Sequence, residues 1–201
     1  CFKLGHSALL VEQRASTRSQ GNVITFGVKE HRDCISWAQL AEKRFGPDAR
    51  IILCGISMGA TTVLMAAGEE LPKCVVGVLA DCGFTSAKEI IMDVIAGMKL
   101  PPRLMYPFVK LGAKIYGHFD IEEDTAESAM SRCKVPVIFF HGLDDDFVPS
   151  WMSQRCYDAC SSRKQIVLVP GAGHGLSYPM DVEGYLKEAR AFFGPEAAWS
   201  E

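Results

Sequence analysis

Short apolar runs alternate along this chain with longer segments in which apolar residues recur at helical spacing. Because each short run is apolar throughout, it is typical of a parallel strand that is buried on both faces. The pattern predicts strands over residues 8–11, 51–54, 75–80, 137–140 and 165–169. It predicts helices over residues 33–45, 58–67, 87–98, 103–116, 148–160 and 181–193, the last with Asp181 as its N-cap.

The alternation of strands and helices predicts an α/β fold, with a mostly parallel, doubly wound sheet and helices on both faces. We expect the whole chain, residues 1–201, to belong to one domain. Segment 84–130 is longer than one crossover connection requires, and it contains two predicted helices and the acidic stretch 120–127. Two interpretations stay open: the segment forms lid or cap helices over a site, or it forms surface helices with a solvated acidic loop.

The composition is that of an ordinary globular domain, since 48% of the 201 residues are hydrophobic and 22% are charged. A net charge of −3 gives no reason to expect a nucleic-acid partner or an anionic membrane surface. No apolar run approaches the roughly 18 residues of a membrane span. The chain starts at Cys1 rather than at a methionine, so membrane association through an upstream segment stays open.

Eight cysteines are spread along the chain. A chain this long and apolar does not need disulfides, and several of the cysteines lie in apolar runs, where free thiols behave as small hydrophobic groups. No pair has the spacing of a metal site. We therefore expect a reducing, cytoplasmic location, no metal and no organic cofactor.

The strongest chemical signal is the G-x-S-x-G motif at residues 55–59, between a predicted strand and a predicted helix. A sharp strand-to-helix turn exposes a serine hydroxyl at the N-terminus of the helix, and the glycines let the neighbouring backbone pass. Ser57 is therefore the candidate nucleophile, and the backbone N–H of Met58 is the candidate oxyanion donor. The alternative interpretation is a turn of small residues without a chemical role.

A serine nucleophile needs a base that an acid orients, and in this architecture the chain order is serine, acid, histidine. His174 lies between two glycines after the last predicted strand, so its loop can reach toward Ser57. It is the candidate base, and the alternative is an ordinary surface histidine. His141 ends a strand before an acidic loop, and we expect it to brace that loop.

Four carboxylates compete for the role of the acid. Asp144, Asp145 and Asp146 follow the strand predicted over residues 137–140, and Asp81 follows the strand over residues 75–80. Both positions lie at carboxyl ends of strands, where such sheets gather their functional groups. Three neighbouring aspartates are equally typical of a solvated turn, so the residues alone leave the choice open.

Five segments together resemble bacterial acyl-peptidase-like serine esterases of the α/β-hydrolase superfamily. They are LLVEQRASTRSQGNVITFGVKEHRDCISW, GISMGATTVLMAA, ADCGFTS, VPVIFFHGLDDDFVP and GAGHGLSY, and they span nearly the whole chain. The resemblance implies the α/β-hydrolase fold, with Ser57 as nucleophile and His174 as base. In that family the motif H-G-x-x-D-x-x-V-P carries the acid at its fifth position, which is Asp145 here, so Asp81 becomes the second candidate.

Two departures from the family pattern matter. The family turn D-x-R-G-H-G-x-S is EQRASTRS at residues 12–19, so we expect the geometry beside the site to differ. Relatives also carry three strands and a helix before the first predicted strand, together with a loop that supplies the second oxyanion donor. We therefore expect the N-terminal portion of the fold to be missing here, and the 201-residue chain to be poorly folded or nearly inactive by itself.

These residues predict a serine hydrolase that cleaves small-molecule carboxylic esters through an acyl-enzyme. A peptidase or a thioesterase would use the same triad, and a non-catalytic relative or an inactive fragment is a third hypothesis. The candidates for an acyl pocket are Ile56, Met58, Leu104, Met105, Tyr106 and Phe108. The last four fit a helix core equally well. The sequence does not define the oligomeric state.

Overall fold

The computed structural model describes residues 1–194 and contains a parallel four-stranded sheet in the order β1-β2-β3-β4. The strands are β1 (Ile51–Ile56), β2 (Val75–Asp81), β3 (Val137–Gly142) and β4 (Lys164–Val169). These are four of the five predicted strands, each longer than predicted by one or two residues. The predicted α/β fold with a parallel sheet is confirmed.

The helices are α1 (Glu30–Phe45), α2 (Met58–Ala67), α3 (Ala87–Gly97), α4 (Pro102–Ile115), α5 (Ala126–Arg132), α6 (Trp151–Ala159), α7 (Ser177–Met180) and α8 (Val182–Phe193). All six predicted helices are present, and Asp181 caps α8 by accepting a hydrogen bond from the N–H of Gly184. Helix α6 begins later than predicted because the N–H of Val148 is bonded to Asp145 in the preceding loop. Within residues 1–194, no helix has both the length and the apolar content that crossing a bilayer requires.

The prediction of a strand over residues 8–11 is wrong. These residues adopt no regular structure, and their side chains are exposed, with Leu10 at 93% of its full accessible surface. A strand needs a hydrogen-bonding neighbour, and in the described part of the chain no other strand lies beside this segment. The apolar pattern of residues 8–11 is therefore typical of a strand, but the segment is not paired in this structure.

Strand β3 lies at the centre of the core, and every one of its residues is buried. Its alternate side chains point to opposite faces of the sheet. Val137 and Phe139 pack in the cluster formed with α1, α2, α5 and α6, whereas Ile138 and Phe140 pack against Phe192 of α8. Because helices cover both faces, functional side chains gather at the carboxyl ends of the strands.

Segment 84–130 folds into helices α3, α4 and α5. Helices α3 and α4 pack against each other, and α5 packs against α2 and α6. Part of the acidic stretch is paired rather than solvated. Glu122 accepts a hydrogen bond from the Tyr106 hydroxyl at 3.1 Å and forms an ion pair with Lys88 at 3.1 Å. A lid role for this segment stays a prediction.

Candidate active site

Ser57 occupies a strained turn between β1 and α2. Its backbone angles are φ 55° and ψ −120°, in a region that side chains rarely adopt. The turn is so tight that a Cβ on Gly55 would lie 2.2 Å from the backbone of Gly59, so glycine is required at position 55. The sequence therefore folds locally into the exposed elbow that the G-x-S-x-G motif predicts, with Ser57 at the N-terminus of α2.

His174 lies in the loop after β4 and joins Ser57 to Asp145. Its Nε2 atom lies 2.9 Å from Ser57 Oγ, and its Nδ1 atom lies 2.8 Å from Asp145 Oδ2. The next residue, Gly175, has φ +68°, a conformation that permits the loop to turn back over the sheet. The ring of Phe147 contacts the imidazole edge-to-face at a centroid distance of 5.0 Å.

Asp145 is the one of the three adjacent aspartates that is buried, while Asp144 and Asp146 point to solvent. Its Oδ1 atom accepts hydrogen bonds from the backbone N–H groups of Phe147 at 3.0 Å and Val148 at 2.8 Å. These two bonds fix the carboxylate, so that its Oδ2 atom is directed at the His174 ring. Of the three adjacent aspartates, Asp145 is the one that this loop directs at His174.

His141, the buried residue near the end of β3, braces the loop that carries Asp145. Its Nε2 atom lies 2.8 Å from the Val148 carbonyl oxygen and 3.3 Å from Asp145 Oδ2, and its Nδ1 atom lies 2.7 Å from Ser153 Oγ. Burial lowers the pKa of His141, which favours the neutral ring. The contacts assign the proton to Nε2, which donates to Val148, and leave Nδ1 to accept from the Ser153 hydroxyl.

Asp81, the second candidate for the acid, makes no hydrogen bond to His174. Its Oδ1 atom accepts a hydrogen bond from Ser177 Oγ at 2.7 Å, and the Tyr185 hydroxyl is its other side-chain partner. Burial raises the pKa of Asp81. Because Ser177 begins the short helix α7 just after His174, Asp81 anchors the loop that carries the histidine.

Met58 is the first residue of α2, where backbone N–H groups have no acceptor within the helix. Such an N–H, at the positive end of the helix dipole, is suited to bind a developing oxyanion beside Ser57. The Met58 side chain packs against a buried cluster that includes Phe84 of the β2–α3 connection and Ile90 of α3. The residue after the nucleophile is therefore packed against helix α3.

Cys82 completes the surroundings of the site, and sequence reasoning missed it. The residue is fully buried with φ +49°, and its thiol, one oxygen of Asp145 and one nitrogen of His174 lie within 4.8 Å of one another. Such a set offers three metal ligands, but hydrogen bonds already hold Asp145 and His174, and burial raises the pKa of Cys82 to about 12. The thiol therefore stays protonated at neutral pH beside the Asp145–His174 pair.

Sequence reasoning also missed the partners of two buried groups, His141 and Asp81. These are Ser153, which pairs with His141, and Ser177 and Tyr185, which hold Asp81. Ser177 lies inside the segment GAGHGLSY, so proximity to His174 was its only signal. Ser153 and Tyr185 lie on predicted helices with no distinguishing pattern around them.

A parallel sheet with helices on both faces, and a serine elbow between a strand and a helix, define an α/β-hydrolase. The chain belongs to the prolyl oligopeptidase family, whose model matches residues 24–197. Family membership indicates a hydrolase of the esterase and peptidase kind.

Known proteins are similar to this chain in sequence or in fold. The uncharacterized protein YqkD of Bacillus subtilis is 26% identical over 190 residues, a match that covers 94% of this chain and 62% of YqkD. The structure of the Pyrococcus furiosus esterase Pf2001 matches with a TM-score of 0.73 at 21% identity, covering 94% of this chain and 70% of that one. A puromycin-hydrolyzing peptidase of Mycobacterium tuberculosis matches with a TM-score of 0.67 at 21% identity, covering 88% of this chain and 26% of that one. This chain thus spans less than two thirds of YqkD.

Proposed function

We propose that this protein is a serine hydrolase that cleaves carboxylic esters through an acyl-enzyme. The observation that carries the proposal is the continuous hydrogen-bonded path from Ser57 Oγ to His174 and on to the buried carboxylate of Asp145. Nucleophile, base and orienting acid follow the order of this architecture along the chain, and each lies after a different strand.

The geometry supports acyl transfer in two steps. In the first, Ser57 Oγ attacks the acyl carbonyl while His174 Nε2 takes its proton, and His174 then gives that proton to the departing alcohol. In the second, His174 deprotonates a water molecule that attacks the acyl-enzyme, and the released Ser57 oxygen takes the proton back. Asp145 holds the Nδ1–H of His174 throughout and stabilises the imidazolium that forms in each step.

The negative charge that develops on the carbonyl oxygen needs donors that are already in place. The backbone N–H of Met58 is one such donor, and the dipole of α2 adds to its effect. By its resemblance to the α/β-hydrolases, we expect the fold to take a second donor from another loop. Loss of one donor costs on the order of 10²–10³ in rate, so a low turnover of the 201-residue chain is compatible with an intact triad.

The leaving group is the open part of the proposal. The triad defines acyl transfer to water and does not distinguish an ester from an amide or a thioester. Similarity to the esterase Pf2001 favours an ester, and the family and the puromycin-hydrolyzing peptidase make a peptidase the second candidate. A cytoplasmic location also stays a prediction, which the eight free thiols fit.

Covalent labelling by a fluorophosphonate probe tests the proposal most directly. We expect the parent chain to be labelled and Ser57→Ala to be unlabelled, with hydrolysis of a p-nitrophenyl ester reduced by on the order of 10⁶. Ser7→Ala, at an exposed position outside the site, is the matched control and keeps both activities. Equal labelling of the parent and Ser57→Ala would refute the assignment of the nucleophile.

The absence of labelling in a chain that circular dichroism shows to be folded would favour the non-catalytic hypothesis. A panel of p-nitrophenyl esters, aminoacyl p-nitroanilides and acyl thioesters then separates the remaining candidates. We expect the highest kcat/KM on an ester with a small or medium acyl group.

A further inference from the structure

Helix α4 presents an apolar stripe to solvent. The stripe is formed by Leu104, Phe108, Leu111 and Ile115, whose exposed fractions are 62%, 65%, 54% and 53%. At a spacing of four, three and four residues, these side chains follow one line along the helix surface. Scattered exposed apolar residues are ordinary, but an aligned and highly exposed set on one helix indicates an interaction surface.

The stripe lies on the side of α4 that is turned away from the protein. The opposite side is docked, since Tyr106 is buried and Ala113 packs against the same core cluster. Contacts between the Tyr106 hydroxyl and Glu122 hold this side in place. Met98 and Leu100, in the turn before α4, are exposed at 65% and 46% and extend the apolar surface.

The charged residues of α4 itself are all of one sign, and of these the acidic residues Asp120 and Glu122 lie beside Lys110 alone. Helix α4 carries Arg103, Lys110 and Lys114 and has no acidic residue. On a helical projection these three lie along one border of the apolar stripe. Lys110 forms an ion pair with Glu122, whereas Arg103 and Lys114 form none within residues 1–194. The stripe therefore has a basic border on which two positive charges are uncompensated.

We propose that this stripe binds an anionic membrane surface, with α4 lying in the interface between headgroups and acyl chains. An interfacial helix of this kind combines a bulky apolar face with lysine and arginine beside it. The four stripe residues would enter the acyl boundary, while Arg103 and Lys114 would contact lipid phosphates. The net charge of −3 for the whole chain does not oppose this, because only charges within about 8 Å of the surface interact strongly at physiological salt.

A second copy of the chain is a poorer occupant for the same surface. In a two-fold dimer through α4, the same patch lies on both sides of the interface. The uncompensated Arg103 and Lys114 of one copy would then approach those of the other, with no acidic residue on either α4 to pair with them. An anionic lipid surface satisfies the apolar stripe and the basic border at once.

The position of α4 gives this surface a connection to the proposed active site. Helix α4 packs against α3, and Ile90 and Ile91 of α3 belong to the cluster that contacts Met58. A chain bound through α4 would be retained at a membrane, which can hold an apolar ester substrate. The membrane-binding proposal itself does not rest on catalysis, because binding can be measured without it.

Co-sedimentation with vesicles tests the proposal. We expect the 201-residue chain to bind vesicles of phosphatidylcholine with phosphatidylglycerol, to bind phosphatidylcholine alone much less, and to dissociate at high salt. Phe108→Ser combined with Leu111→Ser should lower the partition coefficient roughly tenfold or more, since two anchors leave the acyl boundary. Arg103→Gln combined with Lys114→Gln should lower binding to the anionic vesicles on the order of fivefold for each charge.

Leu40→Ser combined with Phe45→Ser is the matched control, because these α1 residues are exposed at 51% and 65% and lie outside the stripe. It should bind as the parent does. Leu104→Ser combined with Ile115→Ser provides an independent stripe variant, and circular dichroism checks that each variant is folded. The proposal is overturned by equal binding of parent and stripe variants, or by a dimer in sedimentation analysis that the stripe substitutions dissociate. Fluorophosphonate labelling of the parent chain is measured without vesicles, so failure of vesicle binding and failure of the serine nucleophile are detected separately.

Discussion

The carboxyl ends of β2 and β3 offer a comparison between two buried aspartates. Asp81 is the last residue of β2, and Asp145 follows the end of β3, the neighbouring strand. Both are almost inaccessible to solvent, at 1% and 8% exposed. Nevertheless only Asp145 contacts His174, whereas Asp81 accepts its hydrogen bond from Ser177.

The difference comes from the backbone around each residue rather than from depth or charge. Asp145 lies in a turn whose own N–H groups hold one carboxylate oxygen and leave the other for the imidazole. Asp81 lies within the sheet itself, paired with Ile56, and reaches only the base of the histidine loop. A carboxylate at the end of a strand thus supports the loop, and a carboxylate beyond the strand can orient the base.

The largest expected effect separates the two aspartates by activity. Asp145→Asn should lower kcat by on the order of 10⁴, because an asparagine favours the wrong histidine tautomer and cannot stabilise the imidazolium. Asp81→Asn keeps an acceptor for Ser177 and should lower kcat by less than about tenfold. Steady-state rates on a p-nitrophenyl ester measure both effects.

Two exposed neighbours provide the controls for this comparison. Asp144→Asn and Asp146→Asn change the same charge in the same loop, but their side chains point to solvent, so both should stay near the parent rate. A severe loss in Asp81→Asn with a mild loss in Asp145→Asn would reverse the assignment and place the acid at the end of β2.

A smaller effect is expected on stability, when the hydrogen bonds of His141 and those of Asp81 are removed in turn. His141→Phe leaves the Val148 carbonyl without its buried donor, while the Ser153 hydroxyl keeps the Gly83 carbonyl as an acceptor at 3.3 Å. It should lower the free energy of unfolding by about 1.5–4.5 kcal/mol, the cost of one unsatisfied group and one lost hydrogen bond. Ser177→Ala removes one donor from Asp81 and should cost about 1–3 kcal/mol. Urea unfolding at neutral pH measures both, and a larger cost for Ser177→Ala would mean that the β2 network carries more of the stability.

Much of this fold could be predicted from local sequence. The four paired strands are continuous apolar runs, and the six predicted helices have apolar residues at helical spacing, so the pattern within each segment was sufficient. Ser57 and His174 were also recognisable, because each lies between glycines in the segment that follows a strand. In both cases the information is contained in a few consecutive residues.

The remainder depends on contacts between distant segments. Residues 8–11 have the pattern of a strand but no described partner, and pairing is not a local property. The hydrogen bond between Asp81 and Ser177 joins residues 96 positions apart. Asp145 could be separated from its two neighbours only by resemblance, because the burial that distinguishes it arises from the folded loop.

The smallest expected effect concerns the pH dependence of stability, which should have opposite signs at the two strand ends. Burial lowers the pKa of His141 in the folded state, so the unfolded chain takes up that proton first as the pH falls below about 6.5. The contribution of His141 to stability is therefore lost on acidification. Burial raises the pKa of Asp81, so there the folded state takes up the proton first, and stability is gained as the pH falls through its folded pKa.

Urea unfolding of the parent and two variants between neutral and mildly acidic pH measures these slopes. His141→Gln should lose less stability on acidification than the parent does, and Asp81→Asn should lose more, because each removes one of two opposing contributions. Each group changes the slope by at most about 1.4 kcal/mol per pH unit, which makes this the smallest of the three effects. The charges that face His141 are Asp81, Asp145 and His174, and the first two raise its pKa against burial. Parallel plots of unfolding free energy against pH for the parent and both variants would show that neither buried group changes its protonation on unfolding between neutral and mildly acidic pH. The contrast between the two strand ends would then be limited to their hydrogen bonds.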